Sequence, residues 1–211
     1  HSLPLAAIGV LLLWFGWDGF NGGSVLSADP AAVSYAVVTT TLAAAAGVMS
    51  AAMLSWGWLK KPDLAMALNG ALAGLVAITA GADVISPLAS VIVGAVGGVL
   101  ALLATLGLQR LKIDDPVGAV PVHLVCGVWG TLAVGLFVSD VSFLTQLLGV
   151  ASVGAFCTTF SGVLFLGLRA TLGLRVSLDE EMGGLDEGEH GQEAYGDFLL
   201  LNTAEVPREA L

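Results

Sequence analysis

Six long apolar runs constrain this chain of 211 residues more than any other feature. They cover about residues 3–21, 33–58, 64–81, 84–108, 117–138 and 144–168. A helix needs about 20 apolar residues to cross about 30 Å of hydrocarbon, and each run is close to that length. The runs are continuously apolar and do not alternate with a period of two, which disfavours a β-barrel. The sequence therefore predicts an all-α polytopic membrane bundle with six transmembrane helices.

The composition excludes several other classes of protein. Hydrophobic residues make up 56% of the chain and charged residues 11%, which is a poor fit to a soluble enzyme, a nucleic-acid binder or a disordered chain. Cys126 and Cys157 lie in apolar runs without the spacing of a disulfide framework or a zinc site, so we expect both to be small core residues. We expect no metal and no cofactor.

The charge divides the chain into two parts. The net charge is −10, and ten of the 17 acidic residues lie after Val176, against one basic residue, Arg208. The rest of the chain is nearly neutral. We therefore predict a transmembrane region at residues 1–175 and an acidic soluble tail at residues 176–211.

The basic residues predict the orientation of the helices. Six of them follow alternate runs and would lie on one side of the membrane: Lys60, Lys61, Arg110, Lys112, Arg169 and Arg175. The other three connectors contain no Lys or Arg. The positive-inside rule then places the basic connectors, the N-terminus and the tail in the cytoplasm.

An ionisable residue inside a span is a functional candidate by default, and His123 is the clearest one. The preceding Asp114-Asp115-Pro116 favours a helix start, with Asp115 at the N-cap and Pro116 at the first helical position. His123 would then lie about 12 Å into the span, near the midplane. A midplane imidazole needs a partner or a water-filled path, so a functional role is favoured over a structural one.

The end of the first run offers a second candidate site. Trp17 alone is typical of an aromatic belt. Phe20 and Ser24 are four residues apart, and on a continuous helix they would share a face, where an aromatic ring and a hydroxyl could bind a small cation. In the third run, Asn69 and Thr79 would line a path or bond to neighbouring helices, with neither alternative favoured. Pairs of glycines in runs three and four favour close helix packing.

Four segments resemble the ammonium transporter family (Amt/Mep/Rh), nearest its Amt branch. They read LWFGWDGFNGGS at 13–24, NGALAGLVAITAG at 69–81, DDPVGAVPVHLVCGVWGTL at 114–132 and GLDEGEHGQEAY at 184–195. The resemblance implies a homotrimer whose subunits each have about eleven helices, the first ten forming two inverted repeats around a narrow pore. This chain, which begins with His1 and shows no signal peptide, would be the C-terminal half only: the second repeat, the last helix and the tail.

The resemblance also implies roles for individual residues. His123 matches one of two hydrogen-bonded pore histidines, Phe20 one of two gate phenylalanines, and Ser24 the hydroxyl of the ammonium recruitment site. Trp17 falls on a pore-side tryptophan, and Thr79 on a threonine near the vestibule. The partners of these residues belong to the first repeat, which this chain lacks and which is needed to close the pore. Asp18 departs from the family, where an apolar or aromatic residue is expected.

The function that follows is ammonium transport in the cell (plasma or inner) membrane, and not enzymatic catalysis. Ammonium would be recruited at the outer mouth and deprotonated, ammonia would cross the apolar pore, and the histidine pair would relay the proton. The tail segment Gly184 to Tyr195 would regulate the pore, with a PII-type signalling protein as a possible partner. Two alternatives stay open: an ammonium sensor with the same fold and no net transport, and a nonfunctional truncated remnant.

Overall fold

A computed structural model describes residues 2–193, without the side chain of Leu59. Residues 194–211, which include Tyr195 of the predicted regulatory segment and the rest of the tail, lie outside the described residues. The chain divides into two compact units, His1–Gly154 and Ala155–Leu211. The predicted division at residue 175 concerns membrane topology and stays a prediction.

Every regular element of the described residues is helical, which confirms the all-α class. The helices are α1 (Leu3–Gly23), α2 (Pro30–Leu59), α3 (Leu64–Thr79), α4 (Pro87–Arg110), a π-helix (Val120–Val125) continuous with α5 (Cys126–Phe137), α6 (Phe143–Thr171), α7 (Leu178–Gly183) and α8 (Leu185–His190). All six apolar runs contain a helix. Five of these helices, counting the π-helix and α5 as one, are long and apolar enough to cross a membrane. The sixth, α3, has 16 residues and a length of about 24 Å.

Polar caps fix where the helices begin. Asp29 accepts a hydrogen bond from the backbone N–H of Ala31 at 3.2 Å, and Asp63 accepts one from Met66 at 3.0 Å. Ser86 does the same for Ala89 at 3.3 Å. These side chains satisfy N–H groups that have no partner within the helix. As a result α2 begins three residues before the predicted run, and α4 three residues after it.

Glycines bring three helices into backbone contact in the first unit. A Cβ atom at Gly74 or Gly94 would collide with the backbone of Ala43 in α2. A Cβ atom at Gly70 or Gly98 would collide with the backbone of Gly47 in the same helix. Helices α3 and α4 therefore pack against the same face of α2 at distances that only glycine allows, as the small-residue pairs predicted.

The predicted helix start at Asp115-Pro116 is wrong. The first helical residue is Val120, the residue before it, Ala119, makes no side-chain cap, and Gly118 has φ +77°, a left-handed conformation that interrupts a helix. The Asp115 carboxylate still serves the helix, because its oxygens accept from the N–H groups of Ala119 at 2.8 Å and Val120 at 2.9 Å. We call residues 113–119 the entry segment.

The two cysteines differ. Cys126 is fully buried, as predicted, and its thiol lies 3.3 Å from the carbonyl oxygen of Gly97. Cys157 is exposed, so the prediction that it is a core residue is wrong. The reason is its position on α6, a helix that has no buried residue.

In the second unit, the tail begins with a well-capped helix. The Ser177 hydroxyl and backbone N–H both bond the Glu180 carboxylate, and the Glu180 N–H bonds the Ser177 hydroxyl at 3.3 Å. This reciprocal pair is a capping box. These bonds, the side-chain bond first, lower the pKa of Glu180. Arg175 pairs with Glu181 at 2.6 Å on the exposed surface.

Candidate functional site

Two predicted site residues from different helices bond to each other near the end of α1. The indole N–H of Trp17 donates to the Thr79 hydroxyl oxygen at 2.8 Å, and that hydroxyl donates to the carbonyl of Leu75 at 2.7 Å. Thr79 can do both because a hydroxyl has one donor and two acceptor positions. A polar bond therefore ties the C-terminal part of α1 to the last residue of α3.

Phe20 and Ser24 follow on α1. The Phe20 ring meets the Trp17 ring edge to face, with centroids 6.1 Å apart and an interplanar angle of 78°, a favourable aromatic geometry. Phe20 is 59% exposed. Helix α1 ends at Gly23, so Ser24 is the first residue beyond it, and its hydroxyl donates to the Phe20 carbonyl at 2.7 Å. With its hydrogen used, the exposed Ser24 oxygen can accept from a ligand that donates N–H bonds.

Sequence reasoning did not single out the polar contacts between α1 and α2. The Asn21 amide donates to the Thr40 hydroxyl at 2.9 Å, and both side chains are buried. The Thr41 hydroxyl lies 3.3 Å from the Asp18 carboxylate, which gives Asp18 a partner on α2. Thr40 and Thr41, two hydroxyl residues inside an apolar run, were the signal that could have identified these contacts.

His123 lies in the π-helix, three residues after its start, so its predicted depth cannot rest on helical residues counted from Asp115. Its neighbours give the depth instead. Gly118 lies beside Asn69 and Gly127 beside Val76. His123, midway between the two glycines, is therefore level with about residue 73, near the middle of α3. The depth of His123 in the membrane stays a prediction.

The side chain of His123 is exposed, and it makes no hydrogen bond within residues 2–193. A π-helical turn is rare and occurs often at functional sites. Thr79 is about six residues further along α3 than the level of His123, which corresponds to about 9 Å. No hydrogen bond joins the side chain of His123 to Trp17, Phe20 or Ser24 within residues 2–193, and the two candidate sites lie at different levels along α3.

Asn69 packs against the entry segment. A Cβ atom at Gly118 would lie 2.7 Å from the Asn69 amide nitrogen, so the two residues fit only because position 118 is glycine. A cavity of about 280 Å³ lies beside this segment. Its polar lining comes from the end of α4 and from the acidic pair of the entry segment, namely Thr105, Gln109, Asp114 and Asp115.

These features define a polytopic helical membrane protein with glycine-packed helices, an aromatic and hydroxyl cluster at the end of one helix, and a histidine level with the middle of the bundle. The sequence profile of the Ammonium Transporter Family matches residues 1–195. The chain therefore belongs to the ammonium transporter family.

Similar proteins agree with this assignment. The ammonium transporter Amt2 of Archaeoglobus fulgidus is 42% identical over 230 aligned residues, covering 98% of this chain and 48% of that protein. An ammonium transporter of Bacillus subtilis is 36% identical over an alignment that covers 94% of this chain and 53% of that protein. The chain thus spans about half the length of these curated relatives.

Solved structures match the fold. A structure titled Sensor Amt Protein superposes with a TM-score of 0.85 at 36% identity, covering 90% of this chain and 50% of that one. Mep2 of Candida albicans superposes with a TM-score of 0.80 at 31% identity, covering 85% of this chain and 44% of that one. Both similarities extend over most of the helical region.

Proposed function

We propose that this chain supplies one half of a pathway that carries ammonium across a membrane as ammonia and a separately relayed proton. The observation that carries the proposal is His123, an exposed imidazole level with the middle of the bundle in a chain of the ammonium transporter family. An ionisable group at that depth is costly in lipid. A polar pathway completed by the other half of the protein would give it a partner.

The chemistry of the substrate explains why the proton and ammonia should separate. An ammonium ion that enters an apolar pore loses hydration at a cost of many kcal/mol, whereas neutral ammonia loses far less. Deprotonation at the mouth lets ammonia follow the apolar path. Imidazole suits the relay of the proton, because its reference pKa is about 6.5 and its two nitrogens donate and accept in turn.

Recruitment would occur at the cluster of Trp17, Phe20 and Ser24. The exposed Phe20 ring offers a face to a cation, and its edge contact with Trp17 limits its freedom to turn. The Ser24 oxygen accepts from an N–H of ammonium while its own hydrogen stays on the Phe20 carbonyl. The second gate ring and the second pore histidine would come from the half of the protein that precedes this chain in its relatives.

Substitutions at the cluster test this assignment. In the full-length protein, Phe20→Ala and Ser24→Ala should each raise the half-saturating ammonium concentration about fivefold, since cation–π and hydrogen-bond contacts at exposed sites contribute about 1 kcal/mol. The matched controls are Phe156→Ala and Ser152→Ala on α6. Equal half-saturation in the wild type and in both cluster variants would remove the recruitment role.

A second candidate function, ammonium sensing, is favoured by the similarity to the structure titled Sensor Amt Protein. A sensor would bind ammonium at the same cluster without net flux. The full-length protein in proteoliposomes separates the two functions through uptake of labelled methylammonium and equilibrium binding of ammonium. Saturable uptake above that of empty liposomes supports transport; saturable binding with uptake equal to that of empty liposomes supports sensing.

The remaining assignments extend the proposal to the whole protein. We propose a homotrimer in the cell membrane, with the basic connectors and the tail in the cytoplasm. The family match extends to residue 195, into the tail, which supports a regulatory role for Gly184 to Tyr195 in docking to a PII-type protein or a neighbouring subunit.

Deletion of residues 176–211 should leave membrane insertion intact and change transport or its inhibition. Identical transport with and without the tail would contradict this role.

A further inference from the structure

Helix α1 has few buried side chains, and one of them is polar. Of its residues Leu3–Gly23, the structure buries Val10, Asn21 and Gly22. A buried amide in an apolar segment costs free energy unless its polar atoms find partners. Asn21 follows Phe20 directly and lies three residues before Ser24, so its partner anchors the part of α1 that carries the proposed recruitment cluster.

The partner of Asn21 is a hydroxyl of α2 that is itself fully engaged. The Asn21 amide donates to the Thr40 hydroxyl oxygen at 2.9 Å, and that hydroxyl donates to the carbonyl of Ala36 in its own helix at 2.6 Å. Because the single hydrogen of Thr40 is used, its oxygen can only accept from Asn21. Asn21 is 3% exposed and Thr40 0%, so water does not replace this bond.

The anchor reaches Ser24 through the backbone. The Phe20 carbonyl and the Asn21 nitrogen belong to one planar peptide group, so the position of Asn21 limits the direction of that carbonyl. The same carbonyl accepts the Ser24 hydroxyl at 2.7 Å and the Ser24 backbone N–H at 3.1 Å. Within residues 2–193 the Ser24 hydroxyl makes no other hydrogen bond. A continuous path therefore runs from the buried Thr40 to the exposed Ser24.

We propose that Asn21 and Thr40 are positioning residues for the recruitment of ammonium. Their buried bond holds the Ser24 hydroxyl on the Phe20 carbonyl, which leaves the lone pairs of the Ser24 oxygen free for an incoming N–H. The inference rests on the proposed recruitment role of Ser24. Both positioning residues are buried and act on the ion only through Ser24. An acceptor that is already ordered binds more tightly than one that the ligand must order.

The test is the half-saturating ammonium concentration and the maximal rate of the ammonium-driven current, measured for the full-length protein in proteoliposomes. Thr40→Val keeps the shape of the side chain and removes the acceptor of Asn21. The half-saturating concentration should rise about threefold, within the range of one lost hydrogen bond, and the maximal rate should not change. Thr40→Ser restores the hydroxyl and should restore the wild-type concentration.

Thr131→Val is the matched control. The Thr131 hydroxyl donates to the Gly127 carbonyl in its own helix at 2.9 Å and makes no bond to another helix of the described chain. This variant should keep the wild-type half-saturating concentration. A rise equal to that of Thr40→Val would mean that loss of any threonine hydroxyl has this effect, and would overturn the inference.

The double variant Ser24→Ala/Thr40→Val separates positioning from general damage to the fold. If Thr40 acts through the Ser24 hydroxyl, Ser24→Ala alone and the double variant should have the same half-saturating concentration. The same rise from Thr40→Val with and without the Ser24 hydroxyl would overturn the inference. A wild-type half-saturating concentration in Thr40→Val would also overturn it.

A second variant guards against misfolding, because Thr40→Val leaves the Asn21 amide buried without its acceptor. Asn21→Leu/Thr40→Val removes both polar partners, so it should fold and should show the same raised half-saturating concentration. A wild-type concentration in this variant would overturn the positioning role.

Ser24→Ala distinguishes failure of the inference from failure of the proposed function. An unchanged half-saturating concentration in Ser24→Ala would remove the recruitment role, and the positioning role with it. A rise in Ser24→Ala, with wild-type concentrations in both variants that lack the Thr40 hydroxyl, would leave recruitment standing and overturn the positioning role alone.

Discussion

The hydroxyl of Thr79 joins two helices by accepting from Trp17 while it donates within its own helix. Thr79→Val keeps the shape of the side chain and leaves the Trp17 N–H without its acceptor. We expect a loss of stability of about 1 kcal/mol, within the range of interhelical hydrogen bonds in membrane proteins. The measurement is the thermal unfolding midpoint of the full-length protein in detergent.

Thr105→Val is the matched control for this prediction. The Thr105 hydroxyl donates to the Ala101 carbonyl in its own helix at 2.8 Å and makes no bond to another helix of the described chain. Its substitution should shift the midpoint less than Thr79→Val does. Equal shifts in the two variants would mean that the Trp17 bond contributes nothing to stability.

Glu180 gives the tail a pH dependence with a definite sign. Its pKa is lowered by the bonds from Ser177, so the folded capping box favours the ionised carboxylate. The stabilisation is therefore fully present above the ordinary carboxyl pKa and is lost as the pH falls through the lowered pKa of Glu180. We expect the cap to be intact near neutral pH and to be lost only in acid.

Carbon-13 NMR of the Glu180 carboxyl measures this pKa directly in the full-length protein. Ser177→Ala removes the hydroxyl bond and should raise the Glu180 pKa toward its ordinary value. Thr171→Ala, which removes a hydroxyl shortly before the tail, should leave it unchanged. A Glu180 pKa that is the same in the wild type and in Ser177→Ala would contradict the capping box.

The packing of α3 and α4 against α2 depends on glycines at the points of contact. Gly94→Ala places a methyl group against the backbone of Ala43, which has no flexible end to move aside. Such overpacking typically costs about 1–3 kcal/mol. Gly107→Ala in the same helix meets nothing within 4 Å and should be neutral or slightly stabilising, because alanine favours a helix.

Thermal unfolding of the two variants distinguishes close packing from helix propensity. The account predicts a lower midpoint for Gly94→Ala and an equal or higher one for Gly107→Ala. If both substitutions raised the midpoint, the contact between α4 and Ala43 would not be the tight one described.

The elements show which parts of the structure local sequence could predict. Six apolar helices followed from continuous hydrophobic runs, and three of them are capped by Asp29, Asp63 and Ser86. The non-helical conformation of the entry segment could not be predicted from local sequence, because Asp-Asp-Pro is typical of a helix start. The φ of +77° at Gly118 accompanies a contact with Asn69, which belongs to a helix far away in sequence. The pairing of Asn21 with Thr40 is likewise nonlocal.

At the level of the whole molecule, the exposure of His123 and of α6 is the main difference between the sequence expectation and the structure. The chain spans about half the length of its relatives, and burial depends on every segment that packs against a surface. Residue patterns identified His123 and Cys157 correctly as members of apolar runs. The same patterns could not show which side chains would be buried and which exposed when this half-length chain folds.

The central claim is that His123 relays the proton of ammonium. The most direct measurement is the initial rate of ammonium-driven current, together with methylammonium uptake, for the full-length protein in proteoliposomes. His123→Ala should lower the rate roughly 100-fold, the scale of a lost proton-transfer group, and Val163→Ala on the exposed helix α6 should leave it within about twofold of the wild type. An unchanged rate and unchanged selectivity in His123→Ala would contradict the account.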